Sequence, residues 1–362
     1  MRFVYSEWNE ALAQMIRGLR DLMSIFNLLL LQTNGDVDLT LDIMRQLRRL
    51  GMIFEDLDLD EFERKLREEN IITARAGTSK LTGKGEKRIR QDAFEQIFEQ
   101  LKDSRHGDHA VHEQGGASEE ILPEKRPFRF GDNLTNIDFK QSLLNSVSRT
   151  ASFGLDMSES DLEVFDSELT TTCAIVLMID ISHSMILYGE DRITPAKRIA
   201  LALSELILTK YPKDSLNVVV FGDDAKEVRV RDIPYISVGP YHTNTKAGLE
   251  MARRILLRKK DANKQIFMIT DGKPSMITRS NGTVYKNPYG LDPVIVNRTL
   301  DQAVICRKKR ITITTFMISD DPYLQNFVQK MTELNRGRAY FSSVQDLGNY
   351  VLWDFVNRRR KG

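Results

Sequence analysis

The run Ala174-Ile175-Val176-Leu177-Met178-Ile179 is apolar at every position and stops at Asp180. A short apolar run with no polar alternation reads as a strand covered on both faces. A second run, Gln265-Ile266-Phe267-Met268-Ile269-Thr270, ends the same way in Asp271, followed by Gly272. Two such strands confine the chain to a layered α/β fold. Because ligands of open parallel sheets collect beyond the carboxyl ends of the strands, the two aspartates mark a site there.

The rest of the carboxyl-terminal half agrees. Strands are expected at Leu162–Phe165, Cys173–Ile179, Leu216–Phe221, Ile266–Thr270, Ile311–Met317 and Arg338–Phe341. Helices alternate with them: Ala196 to Lys210, with Thr194 as cap and Pro195 in the first turn, then Thr245–Arg258, Val296–Lys308, Pro322–Leu334 and Val344–Asn357. The segment Asp161 to Asp166 alternates in polarity and precedes the buried strand by a short turn, which suggests an antiparallel pair with it at one side of the sheet. The expected fold class is α/β: a mainly parallel sheet with helices on both faces and an antiparallel edge strand, preceded by a mostly α-helical domain.

That first domain covers residues 1–102, where apolar residues Leu12, Met15, Ile16, Leu19, Leu22, Met23 and Phe26 recur at helical spacing. Ile71 to Gly85 suggests a small β-hairpin, so the domain could be winged-helix-like, and its basic residues make a nucleic-acid contact conceivable. Acidic neighbours favour an ordinary solvated surface. Residues 103–127, polar and aperiodic, read as a flexible linker, 128–159 as a connecting segment and 160–362 as the α/β domain.

Composition removes several function classes. A net charge of +1 over 362 residues gives no overall field for nucleic acid or a membrane surface. Two cysteines, Cys173 and Cys306, exclude a disulfide framework and point to a reducing compartment. No apolar stretch reaches the ~20 residues that span a bilayer. Leu22 to Leu31 is short and lacks a small-residue cleavage site, so it reads as a core helix and the location expected is cytoplasmic.

Beyond Asp180 the hydroxyls of Ser182 and Ser184 alternate with Ile181 and His183, and a short extended turn would aim both one way. A third connection, Gly239 to Leu249, offers further hydroxyls just before a helix. Oxygen-only donors with positions left to water suit Mg²⁺ rather than Zn²⁺, and Mn²⁺ or Ca²⁺ could substitute.

Asp180-x-Ser182-x-Ser184, then Thr243-Asn244-Thr245-x-x-Gly248-Leu249, then Asp271-Gly272 resembles the metal-ion-dependent adhesion site of von Willebrand factor A (VWA) domains. The likeness runs over roughly residues 160–357 and implies a Rossmann-like sheet. It implies that Asp180, Ser182, Ser184, Thr243 and Asp271 hold the ion, some through water, with Thr243 preferred to Thr245 because the family's threonine lies two residues before the helix. His183 stands where many members carry glycine. From Phe128 onward the chain is similar to bacterial VWA proteins related to the magnesium chelatase D subunit, whose usual partners are AAA+ ATPases of the chelatase or MoxR type. The sequence contains no G-x-x-x-x-G-K-[ST] loop, so such an ATPase would be another polypeptide.

Two protein carboxylates leave a dication electrophilic and incompletely coordinated, ready for an Asp or Glu of a protein partner. His183, His242, Lys273 and Ser275 are the candidate partner-facing residues, and the turn-rich segment from Gly272 to Gly290 is expected to overhang the site. The reading is therefore a non-catalytic, Mg²⁺-dependent adaptor, with no membrane or nucleic-acid partner expected. The alternatives are a Mg²⁺-dependent phosphatase with Asp180 as nucleophile, weakened by serine at 182 where a second aspartate is wanted, and nucleic-acid binding by the first domain. Weaker signals are the cluster His106, His109 and His112, and Asp56-x-Asp58-x-Asp60, which lacks the glycine and glutamate of a calcium loop and reads as the start of a helix.

Overall fold

The computed structural model describes residues 22–51, 58–75, 77–103, 118–128, 137–150, 157–170, 172–189, 191–239, 241–261, 263–279, 281–287, 289–319 and 321–341. The His106, His109 and His112 cluster, the expected helix Val344–Asn357 and the first half of the earliest helical pattern lie outside them. The chain divides into two compact units, residues 1–110 with 173–361, and residues 111–172.

In the first unit the chain runs α1 (Leu22–Gln32), α2 (Val37–Arg49), α3 (Leu59–Glu68), the hairpin β1 (Ile72–Arg75) and β2 (Thr78–Leu81), and α4 (Gly83–Asp103). Asp58 accepts from the amides of Asp60 and Glu61 and so caps α3, the helix start read from the Asp56 to Asp60 pattern.

The second unit holds β3 (Ser118–Pro127), α5 (Phe139–Thr150) and β4 (Glu163–Thr170). Two expectations fail here. Residues 118–127 form a strand where a linker was expected. That strand pairs antiparallel with β4, so the Leu162–Phe165 segment does not pair with the buried strand. The two chains of charged and apolar residues satisfy each other's backbone groups across a bulge between Ile121 and Lys125. Asp138 caps α5 and pairs with Lys125 at 2.6 Å, while Asp161 accepts a forked contact from Arg149 that holds its carboxyl well below the usual range.

The remainder of the first unit is β5 (Cys173–Asp180), α6 (Ile193–Lys210), β6 (Ser215–Phe221), β7 (Ala225–Val228), α7 (Thr245–Leu257), β8 (Asn263–Thr270), the small hairpin β9 (Met276–Thr278) and β10 (Val284–Lys286), α8 (Pro293–Lys308), β11 (Ile311–Met317), α9 (Pro322–Asn335) and β12 (Arg338–Phe341). Six strands make one sheet in the order β12-β11-β8-β5-β6-β7, parallel throughout except for β7. The antiparallel edge strand is thus β7, supplied by a tight turn after Phe221. Central β5 is buried at every position. Ile175, Leu177 and Ile179 join one core, and Ala174, Val176 and Met178 join the opposite one with Leu249, Ala252 and Leu256 of α7.

Helix α6 begins at Ile193, before the expected cap Thr194, because the Asp191 carboxylate accepts the Thr194 amide and holds the first turn. Almost every residue of α6 from Ile193 to Ile207 is buried, including Lys197, Ser204 and Glu205. A helix buried all round needs cover on its outer side. The amino-terminal helices supply it: their apolar residues from Ile25 to Ile97 share one core with Leu203, Leu206 and the sheet.

The polar residues of α6 are the joints. Lys197 donates to the Leu31 carbonyl at 2.9 Å and Asn34 Oδ1 at 2.7 Å, with the Pro234 carbonyl at 3.5 Å, and Arg90 of α4 pairs with Glu205 at 3.1 Å. Gly35, at φ 83°, lies flat against the Tyr235 ring, where any Cβ would collide.

Burial pushes the Lys197 amine down to about 8 from an ordinary value of 10.5. Between those values the unfolded chain binds the extra proton, so the Lys197 contribution to stability rises with pH. Wild type should therefore gain on Lys197→Met when urea unfolding at pH 7 is compared with pH 10. An unchanged difference would show that the amine titrates normally.

Candidate functional site

The site is built where β5 and β8 end side by side. Their register pairs Ile179 with Ile269, which sets Thr270 beside Asp180. The Thr270 hydroxyl donates to Asp180 Oδ2 at 2.7 Å, and the Ser182 amide donates to Asp180 Oδ1 at 2.9 Å. Gly272, at φ 89°, turns the chain after Asp271 and sends its amide to Thr270 Oγ1 at 3.0 Å. Thr270 therefore ties both aspartate-bearing strands together. Nothing in its own spacing singled it out; its place just before Asp271 is the only signal.

Ser182 and Ser184, at the start of a short 3-10 turn (His183–Gly189), have their hydroxyl oxygens 3.0 Å apart. Ser182 also hydrogen-bonds Asp180, and Ser184 hydrogen-bonds Asp271, so the two hydroxyls bridge the carboxylates. Asp180 is 0% exposed and Asp271 3%. Burial, reinforced by the charge of Asp271, pushes the Asp180 carboxyl up to about 7. Burial pushes Asp271 up as well, against the hydrogen bond from Ser184, the Lys273 amide and the charges of Arg192 and Lys273.

Thr243 lies in the connection between the Val230–Tyr235 turn and α7, two residues before the first helical residue. It is 2% exposed. Its amide donates to Ser275 Oγ at 2.9 Å, and its carbonyl accepts the Ser275 amide at 3.0 Å. Ser275 was expected to face a partner; at 6% exposed, its hydroxyl is committed to Thr243 instead. Asn244 caps α7 through the Ala247 amide, and its own amide donates to the Gly222 carbonyl beyond β6. The loops after β5, β6 and β8 are thereby fixed to one another.

Of the remaining candidates, His183 sits between the two serines with its ring 5.2 Å from that of Tyr241. The His242 amide donates to Asp223 Oδ1, and the His242 ring nitrogen lies 3.4 Å from the same oxygen. The segment after Asp271, expected as a loop, contains the hairpin β9–β10.

Two buried carboxylates linked by hydroxyls form an oxygen-only donor set that could hold a hard divalent cation, and Thr243 is held by its backbone to Ser275 in the loop after Asp271. Without such a cation the like charges oppose each other in a poorly solvated place. In EDTA at pH 8, Asp180→Asn should melt above wild type, because it removes one charge and keeps an acceptor for the Ser182 amide. A lower melting point by scanning calorimetry would show that the pair is not strained when metal-free.

Comparisons with known proteins agree with this architecture. The profile described as "Rv0959-like protein, vWA domain" matches residues 173–356, and "Rv0959-like protein, third domain" matches residues 120–167. The Mycobacterium tuberculosis protein Rv0959 and the Mycobacterium bovis protein Mb0984, both described as uncharacterized, are each 28% identical over 338 residues, covering 86% of this chain and 49% of theirs. The chain thus spans about half the length of these relatives. Similar solved structures include the vWF domain of the type V pili tip protein Mfa5 from Porphyromonas gingivalis, at 14% identity, with 54% of this chain and 98% of that chain covered and a TM-score of 0.44. The PilB minor pilin from Streptococcus sanguinis is another, at 14%, 55%, 64% and 0.41 respectively. With a buried parallel sheet, paired aspartates at its carboxyl end and a profile match over half its length, the chain belongs to the Rv0959-like family of vWA-domain proteins.

Proposed function

We propose that this chain is a Mg²⁺-dependent protein-binding adaptor. In this reading Asp180, Ser182, Ser184, Thr243 and Asp271 form a complete metal-ion-dependent adhesion site, and an Asp or Glu of a partner protein completes the coordination. The observation that carries it is the pair of buried carboxyls, both pushed up by burial and bridged by the Ser182 and Ser184 hydroxyls. Arg192 and Lys273 act on Asp271, and the pair would still gain from a positive charge placed between the two carboxyls. A dication would supply it, and would remain neutralised by only two carboxylates, with appetite for a third. His183, His242 and Lys273 stand beside the ligands and would tune access for that third carboxylate.

The partner proposed is a separate AAA+ ATPase of the MoxR or chelatase type, in the cytoplasm. This rests on the resemblance of the chain from Phe128 onward to proteins related to the magnesium chelatase D subunit. Among the described residues no helix is long and apolar enough to cross a membrane.

A nucleophilic role for Asp180 is disfavoured by its complete burial and by the serine at 182, where a phosphatase of this kind wants a second aspartate. Nucleic-acid binding through the amino-terminal helices has less support, since Arg45 and Arg67 pair with Glu63, Lys65 pairs with Glu61 and Arg90 pairs with Glu205.

Mg²⁺ at 100 times its dissociation constant should stabilise wild type by about 2.7 kcal/mol, read as a higher melting temperature, and should leave Asp180→Ala and Asp271→Ala unmoved. Equal shifts in all three proteins would rule out this site. Pull-down with the full chain should recover an AAA+ ATPase in Mg²⁺, and much less of it in EDTA or with Asp180→Ala. Recovery that is the same under all three conditions would count against a metal-mediated contact.

A further inference from the structure

Among the described residues the three most exposed large apolar or aromatic side chains are Tyr289 at 88%, Tyr323 at 79% and Tyr241 at 78%. All three stand at one end of the six-stranded sheet. Tyr241 precedes α7, Tyr289 precedes α8, and Tyr323 lies in the first turn of α9. Helices α8 and α9 follow β8 and β11 from the carboxyl end of the sheet, the end that carries Asp180 and Asp271, and the loop before α7 is tied to that end by the Gly239 amide on the Ile181 carbonyl and the Asn244 amide on the Gly222 carbonyl. Tyr241 also reaches the site itself, through its ring contact with His183. Core packing does not account for aromatic rings left this open, whereas an interface does: tyrosine offers a large, stiff, amphipathic surface at small entropic cost and is enriched at binding hot spots.

A second observation gives the charge of the partner. From Gly272 to Leu291 the chain carries Lys273, Arg279 and Lys286 and no acidic residue. The hairpin β9–β10 presents Arg279 and Lys286 as exposed side chains. Its mounting is firm. The Thr243 carbonyl accepts the Ser275 amide at 3.0 Å, Asn244 Nδ2 donates to Thr278 Oγ1 at 3.2 Å, and Lys246 Nζ donates to the Thr278 carbonyl at 3.1 Å. Arg279 lies over the Tyr285 ring, 4.9 Å from its centre. The basic arm is therefore held in place by the same segment that carries Thr243.

We infer that this face binds an acidic polypeptide segment with apolar or aromatic residues beside its acids, anchored by Tyr241, Tyr289 and Tyr323 and complemented in charge by Arg279 and Lys286. The inference rests on the metal-site reading for the one acid that would meet the ion. The tyrosines and the hairpin are additional to that contact. Exposed Asp223 and Asp321 share this end of the sheet, so the complementary charge comes from the hairpin's Arg279 and Lys286 and not from the whole face.

The test is selection of random 12-residue peptides displayed on phage against the full chain in Mg²⁺, followed by titration calorimetry with the enriched peptides. Enriched sequences should carry Asp or Glu with Leu, Pro or an aromatic residue close by. The triple change Tyr241→Ser, Tyr289→Ser, Tyr323→Ser should weaken them about tenfold or more while Mg²⁺ binding is unchanged. Arg279→Ser with Lys286→Ser should weaken them less and flatten their salt dependence. No enrichment, enrichment of peptides without acids, or wild-type affinity in the triple variant would overturn the proposal. Peptides that need the tyrosines yet bind Asp180→Ala as tightly as wild type, with or without EDTA, would uphold the surface and remove the metal reading.

Discussion

Burial of Asp180 and Asp271 at neighbouring strand ends is the constraint around which the carboxyl end of the sheet is organised. A carboxylate out of water must be hydrogen-bonded or protonated. Here the donors come from four places: the Ser182 amide and hydroxyl, the Thr270 hydroxyl, the Ser184 hydroxyl and the Lys273 amide. The Ser182 and Lys273 donors act within their own turns, and the Thr270 hydroxyl on Asp180 and the Ser184 hydroxyl on Asp271 fix one connection relative to the other. The Ile181 amide on the Phe221 carbonyl and the Asn244 amide on the Gly222 carbonyl extend the frame to β6. The loops are positioned by the need to satisfy the two acids.

The same economy governs α6. Its amino end follows the Ser182 to Gly189 turn directly, and its outer side is covered by the amino-terminal helices through Lys197, Glu205 and a shared apolar core. This helix is therefore sandwiched between two layers. A buried lysine with three carbonyl or amide acceptors and a buried Arg90–Glu205 pair fix how those layers meet, since slippage would strand a charge. The amino-terminal helices are part of the scaffold that holds the site, and the tyrosines and basic hairpin lie at the open end of that scaffold.

Much of this was legible in the residues. The unbroken apolar run before Asp180 could only be a strand covered on both faces, and the alternation after it separated strands from helices with few errors of extent. The Ile71 to Gly85 hairpin and the helix start at Asp58 were equally readable, because turn and cap chemistry is local. Failures came where partners are distant. Glu163 to Thr170 alternates like an edge strand whichever neighbour it takes, and its neighbour is 118–127, whose charges had made it look like a linker. Ser275 looked available in a turn-rich stretch, yet its hydroxyl is held by Thr243, 32 residues away.

The sequence by itself determined the class of fold and the identities of the acids and hydroxyls, because strand period, turn residues and side-chain chemistry are properties of short segments. Only the tertiary structure decided that β5 and β8 lie side by side, that Thr270 joins them, and that the amino-terminal helices close over α6. It also decided that three tyrosines far apart in the chain stand at one end of the sheet. Those are consequences of strand order and of which buried polar groups must find one another, and neither is written in any local pattern.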